Sequence, residues 1–134
     1  MNEKELLVKK SSIPASGKGL FTKKMIAKGT RITEYKGKIR TWKEAKAGKA
    51  DNRYILFVNW NHVIDAMPFK KSKARFANDA MGLTRIKGLT NNSIYVKDGV
   101  RVFIESAKKI PAGSEILVSY GQEYWESIRY NNNL

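Results

Sequence analysis

The chain has 134 residues, with 26 Lys and Arg against 12 Asp and Glu, a formal net charge of +14 and no cysteine. That length predicts one domain, spanning 1–134, with a core of its own. The missing thiols exclude a disulfide scaffold, a thiolate nucleophile and any cysteine-ligated zinc or iron–sulfur site.

In chain order, residues 5–9 (ELLVK) open as a strand. "IPASGKGLFTKK" places Pro14, Gly17 and Gly19 in a loop that enters a short strand at Leu20-Phe21. After a turn at Lys28-Gly29, "RITEYKGKI" alternates well enough to read as one strand. "TWKEAKAG" is a helix with a start and a stop. Thr41 is its N-cap, Glu44 completes a capping box, and Gly48 ends it. "RYILFVNWNHVIDA" reads as two strands around Trp60-Asn61, and "SIYVKDGVRVFIES" as a hairpin around Asp98-Gly99. Between them, Pro68 to Asn92 is too long for a mere connection, and loops of that length are usually functional or mobile. "IPAGSEILVSYG" is a turn followed by a strand, "QEYWESIRY" a last helical turn, and 127–134 a tail. The fold class expected is mainly β, with short strands and short helices.

Much chemistry is excluded. One histidine, His62, cannot build a zinc site and is expected to be exposed. "SGKGLFT" lacks the spacing of a phosphate-binding loop. The acids are dispersed, so no metal site is expected. No apolar run approaches the roughly 18 residues that span a bilayer. MNEKELLVKK is not a secretory signal. A soluble protein of the cytoplasm, or of the nucleus in a eukaryote, is expected. The charge draws it toward polyanions, and the densest local group is Lys70, Lys71, Lys73 and Arg75.

"RFANDAMG", residues 75–82, fits neither the helical nor the strand period. Asn78 and Asp79 read locally as a turn, since both side chains bond their own backbone. Tyr35, Tyr95 and Tyr120 each lie in or beside a predicted strand, where packing is the ordinary use of a tyrosine.

Taken in order, "SGKGLF", "KGTRITEYKG", "ARFANDA", "NNSIYV", "IPAGSEILVSYG" and "YW" resemble the SET-domain family of protein lysine methyltransferases, over about residues 7–126. The resemblance is to its minimal members, without the cysteine cluster that follows the core in many others. It implies several small sheets (a β-clip-like fold) and a C-terminal pseudoknot, in which the last strand passes under the "RFANDAMG" loop. It implies S-adenosylmethionine as cofactor, held by Gly17, Lys18, Gly19 and Asn78, with Asp79 and Tyr120 beside it and Tyr124 and Trp125 over the adenine. Tyr120, Tyr35 and Tyr95 are the implied catalytic residues, the last two as walls of a lysine channel. Arg75 and Phe76 are implied to support the cofactor loop. The family usually has histidine where this chain has Asp79; if that residue acts through local hydrogen bonds, Asn or His is expected to serve there. The implied substrate is a protein presenting a lysine, histone-like or ribosomal given the charge. The rival is a non-catalytic SET-like module that binds chromatin-like or ribonucleoprotein partners.

Overall fold

The computed structural model describes residues 1–48, 54–82 and 85–120. Among these residues nine short strands form three sheets. Strands β1 (Leu6–Lys10) and β2 (Lys18–Thr22) pair antiparallel. Strands β3 (Arg31–Glu34), β8 (Arg101–Ser106), β7 (Ser93–Asp98) and β9 (Val118–Ser119) form a four-stranded sheet in that order, with β9 parallel to β7. The third sheet is β4 (Lys38–Arg40), β6 (His62–Asp65) and β5 (Ile55–Asn59).

All three sheets send side chains into one cluster. Leu6 and Leu20 come from the first, Ile32, Val102, Ile104 and Val118 from the second, and Ile64 from the third. Most are β-branched or leucine, which suits a pleated surface buried on one face. No helix among the described residues is long and apolar enough to cross a membrane.

The local signals form the elements expected of them, with one shift in register. Helix α1 (Trp42–Lys46) begins with the Thr41–Glu44 capping box, and the Gly48 amide closes it on the Ala45 carbonyl. The β7–β8 hairpin turns one residue later than expected. Asp98 pairs with Arg101, so Gly99 and Val100 form the loop, with Gly99 at φ +62°. Glycine at the first central position is what a type II′ turn requires.

Three expectations change. "RITEYKGKI" is two strands in two sheets. The break follows Tyr35, whose amide still donates to the Val102 carbonyl. Gly37 then passes against the Asp65–Ala66 main chain. A Cβ there would lie 2.5 Å from the Asp65 carbonyl oxygen, so only glycine fits. His62 is half-buried rather than exposed, because it lies within the strand pair, opposite Asn59. The 68–92 segment is more than a polar loop. It contains a 3₁₀ turn at Lys73–Phe76 and buries Ala74, Ala77 and Ala80.

Candidate functional site

Where a strand was expected after the Pro111–Gly113 turn, residues 115–120 make isolated bridges and the short β9, and they do not pair with one neighbour. Glu115 bridges to Phe21 of β2, and the Ile116 amide donates to the Leu20 carbonyl at 2.7 Å. Leu117 bridges in parallel to Asn78, and the Val118 amide donates to the Asn78 carbonyl at 2.9 Å. The Leu117 carbonyl accepts from the Asn92 and Ser93 amides. The thread therefore crosses beneath the 75–82 segment and ends alongside β7.

Two buried carboxylates hold the crossing. Asp79 is 6% exposed. Its Oδ1 accepts from the Met81 amide (2.8 Å) and from Asn91 Nδ2 (2.7 Å), and its Oδ2 accepts from the Tyr120 amide (2.8 Å). Asn91 also accepts from the Ala80 amide. Glu115 accepts from the Ser11 hydroxyl (2.7 Å) and the Ser12 amide (2.9 Å), and lies 3.5 Å from Asn78 Nδ2. Buried charge is tolerated where its lone pairs meet this many donors. Asn92 extends the network, donating to the Glu115 carbonyl and accepting from the Leu117 amide.

Beside the crossing three tyrosines meet. Tyr35 lies edge-on to Tyr95 with ring centroids 6.1 Å apart. Tyr95 stacks on Tyr120, also at 6.1 Å with the planes 21° apart. The Tyr35 hydroxyl donates to the Tyr54 carbonyl at 2.9 Å, and the Tyr120 hydroxyl donates to the Ala77 carbonyl. The next residue, Asn78, donates from Nδ2 to the Lys18 carbonyl at 3.0 Å. One dipeptide, Ala77-Asn78, thus joins the tyrosine cluster to the 17–19 segment, where the loop enters β2 at Lys18.

The SET domain family model matches residues 17–121. The chain belongs to the SET-domain family. Among solved structures it is similar to the methyltransferase domain of human PR domain-containing protein 2. The two share 22% identity over 90% of this chain and 79% of that one, with a TM-score of 0.65, which is a likeness of fold.

In this SET domain the sequence-predicted residues sit as follows. Asn78 bonds to Lys18 and Ala77 to Tyr120, which stacks on Tyr95 and through it meets Tyr35; Gly17 precedes Lys18 in the chain. Gly17 is exposed at φ +64° with open space where a side chain would stand, and a shallow depression runs along Lys10, Ile13, Ala15, Gly17 and Lys18. The loop turns at Ile13–Ser16, where the Ser16 amide closes on the Ile13 carbonyl with Ala15 at φ +64°, an unusual conformation for a residue with a Cβ. Gly19 serves the fold. A Cβ there would lie 2.3 Å from Glu115 Oε2, so its smallness makes room for the buried carboxylate. Gly121, Tyr124 and Trp125 lie outside the described residues.

Asp79 faces the thread and accepts from the Met81 amide, Asn91 Nδ2 and the Tyr120 amide. The expectation that asparagine would serve there changes accordingly, since an amide nitrogen would meet a donor. Arg75 supports the Tyr54 side of the site rather than the 17–19 loop. Its guanidinium donates to the Ala66 and Met67 carbonyls and lies over the Tyr54 ring, 4.5 Å from the centroid. Sequence reasoning missed Glu115, Asn91 and Asn92. Two adjacent asparagines directly before a strand were the available signal, since such side chains replace backbone partners.

Proposed function

We propose that this SET domain is a protein-lysine N-methyltransferase that uses S-adenosylmethionine. The observation that carries the reading is the Ala77-Asn78 bridge, which sets the three-tyrosine cluster against the 17–19 loop.

The residues present fit such a cofactor. Its amino-acid end carries a carboxylate and an ammonium, which suit exposed main chain at Gly17, the Lys18 cation and the Asn78 amide. When bound, S-adenosylmethionine supplies an electrophilic methyl on a positively charged sulfur. Gly17, Lys18 and Asn78 would hold it, and the tyrosines would receive the lysine.

A lysine ammonium has an ordinary pKa of about 10.4 and cannot attack until it loses its proton. A channel walled by Tyr35 and Tyr95 removes water from that ammonium and lowers its pKa, as does a neighbouring positive charge. No histidine base is needed, in keeping with a sequence whose one histidine lies on the β5–β6 hairpin. Tyr120, fixed by its bond to Ala77, orients the amine, and holding reactants in line is itself worth several kcal/mol. The net charge of +14 supports a substrate that works beside nucleic acid, such as a histone-like or ribosomal protein.

The experiment is incubation with methyl-labelled S-adenosylmethionine and a panel of basic proteins, followed by identification of the labelled residue. Label on lysine is expected. Calorimetry with S-adenosylhomocysteine should show one site per chain. In the Tyr120→Phe variant, single-turnover transfer should fall by about a hundredfold, while cofactor affinity changes by less than about threefold, because the hydroxyl acts mainly in the transition state. Equal rates for the two proteins would reduce Tyr120 to packing and support the non-catalytic module instead.

A further inference from the structure

The β4–β6 sheet carries a feature that the tyrosine site does not use. Trp42, Phe57 and Trp60 meet on its outer side, with ring centroids 5.2–6.3 Å apart and planes inclined by 72–89°. The Trp42 amide donates to the Trp60 carbonyl, which fixes α1 on the hairpin tip. The register explains the placement. Phe57 pairs with Val63, and Val63 with Arg40, so these three share one face, while Leu56 and Ile64 face the core. The cluster is not sealed. Trp60 is 68% exposed and Phe57 41%. Nothing in the fold explains leaving two large rings in water.

The rim of this patch is cationic. Lys38 and Arg40 lie close enough to Glu44, at the start of α1, to help hold its carboxyl below the ordinary range, after its bonds to the Thr41 amide and hydroxyl. Lys43 and Lys46 are exposed on α1 itself. Among the described residues the acids nearby are engaged, Glu44 with Thr41 and Asp65 with Arg40 and the Met67 amide. Among the described residues no carboxylate forms an ion pair with Lys38, Lys43 or Lys46. By contrast, half of the Lys70–Arg75 group is tied inward. Lys73 donates to the Glu3 and Leu6 carbonyls and Arg75 to those of Ala66 and Met67.

We propose that this patch is a binding surface for single-stranded nucleic acid, with an unpaired base stacked on Trp60 and phosphates neutralised by Lys38, Lys43 and Lys46. Exposed aromatic faces combined with unpaired cations match that ligand. Bases of any sequence stack on them, and the lysines follow the backbone. A duplex hides its base faces and would use only the lysines. The proposal does not depend on methyl transfer. It would, however, seat a ribonucleoprotein or similar substrate near the site. Strand β5 leads from Tyr54, at the tyrosine cluster, to the Trp60 tip, a reach of about 20 Å.

The test is fluorescence anisotropy of the whole chain with a labelled oligothymidylate, titrated at several salt concentrations. A duplex of equal length and anionic phosphatidylglycerol vesicles are run beside it. Trp60→Ala should weaken oligothymidylate binding by about fivefold or more, the effect of one lost stack, with little change in the salt slope. Trp60→Phe should restore much of the affinity. Lys43→Ala with Lys46→Ala should flatten the salt slope by about 1.4, the contribution of two single-strand phosphate contacts. Duplex binding should be indifferent to Trp60. The proposal is overturned if Trp60→Ala binds oligothymidylate as the parent does. It is equally overturned if the substitution abolishes only vesicle binding, or only self-association seen by sedimentation. Trp60 is exposed, so an unchanged melting temperature separates lost binding from lost fold.

Discussion

The knot around residues 115–120 and the β4–β6 sheet treat their side chains in opposite ways. In the knot, polar groups are buried and matched: Asp79 has three donors, Glu115 has two close ones, and Asn91 and Asn92 bond in both directions. On the sheet, apolar groups are left in water: Ile39 is 51% exposed and Trp60 68%. A buried polar network is costly when incomplete and specific when complete. An open aromatic face contributes little to folding and is available to a partner. The difference separates a region that holds its own chain from one that can hold another.

The sharpest way to break the contrast is Asp79→Asn. The replacement has one acceptor oxygen where three donors converge. It should cost about 3 kcal/mol, read from urea unfolding. A cost under roughly 0.5 kcal/mol would mean that the network adjusts and that the contrast is overstated. Gly19→Ala comes next, since its methyl would meet Glu115 Oε2. A loss of about 2 kcal/mol is expected, as for other overpacked interiors.

The smallest effect concerns the rim of the four-stranded sheet. Glu34 accepts two hydrogen bonds from Arg101, and these hold its carboxyl below the ordinary glutamate range against partial desolvation. A folded-state pKa lowered in this way adds stability that is present above the unfolded value. That stability is lost as pH falls through the folded one. Arg101 is largely exposed, so Glu34→Gln should cost no more than about 0.5 kcal/mol near neutral pH. The difference should vanish near pH 2, once the carboxyl is protonated. A difference that persisted in acid would assign the effect to packing.

What was legible in the sequence was local. Thr41 and Glu44 are three residues apart, and their capping box could be read directly. The β7–β8 hairpin carries its own turn signal, displaced by one residue because glycine took the first loop position. The three tyrosines were legible through the order of the family's motifs, not through their periodicity. Gly37 was not, because its constraint is the Asp65 main chain, distant in sequence. Nor was Glu115. Its hydroxyl partner Ser11 is 104 residues away, and a lone glutamate in a predicted strand carries no local mark of burial. The split of "RITEYKGKI" failed for the same reason, since alternation continues through a point where the sheet partner changes.

The crossing also sets a timetable. A chain leaving the ribosome exposes β1, β2, the 17–19 loop, the 75–82 segment and the β7–β8 hairpin before residues 115–120 emerge. Until then the carbonyls of Leu20 and Asn78, and the Asn92 and Ser93 amides, lack the partners that the thread provides. Pairings of such long sequence separation form late, and open strand edges are what nascent chains mispair. The bridge at Ala77-Asn78 is therefore completed only once residues 115–120 have emerged, and until then the chain depends on not meeting another strand first.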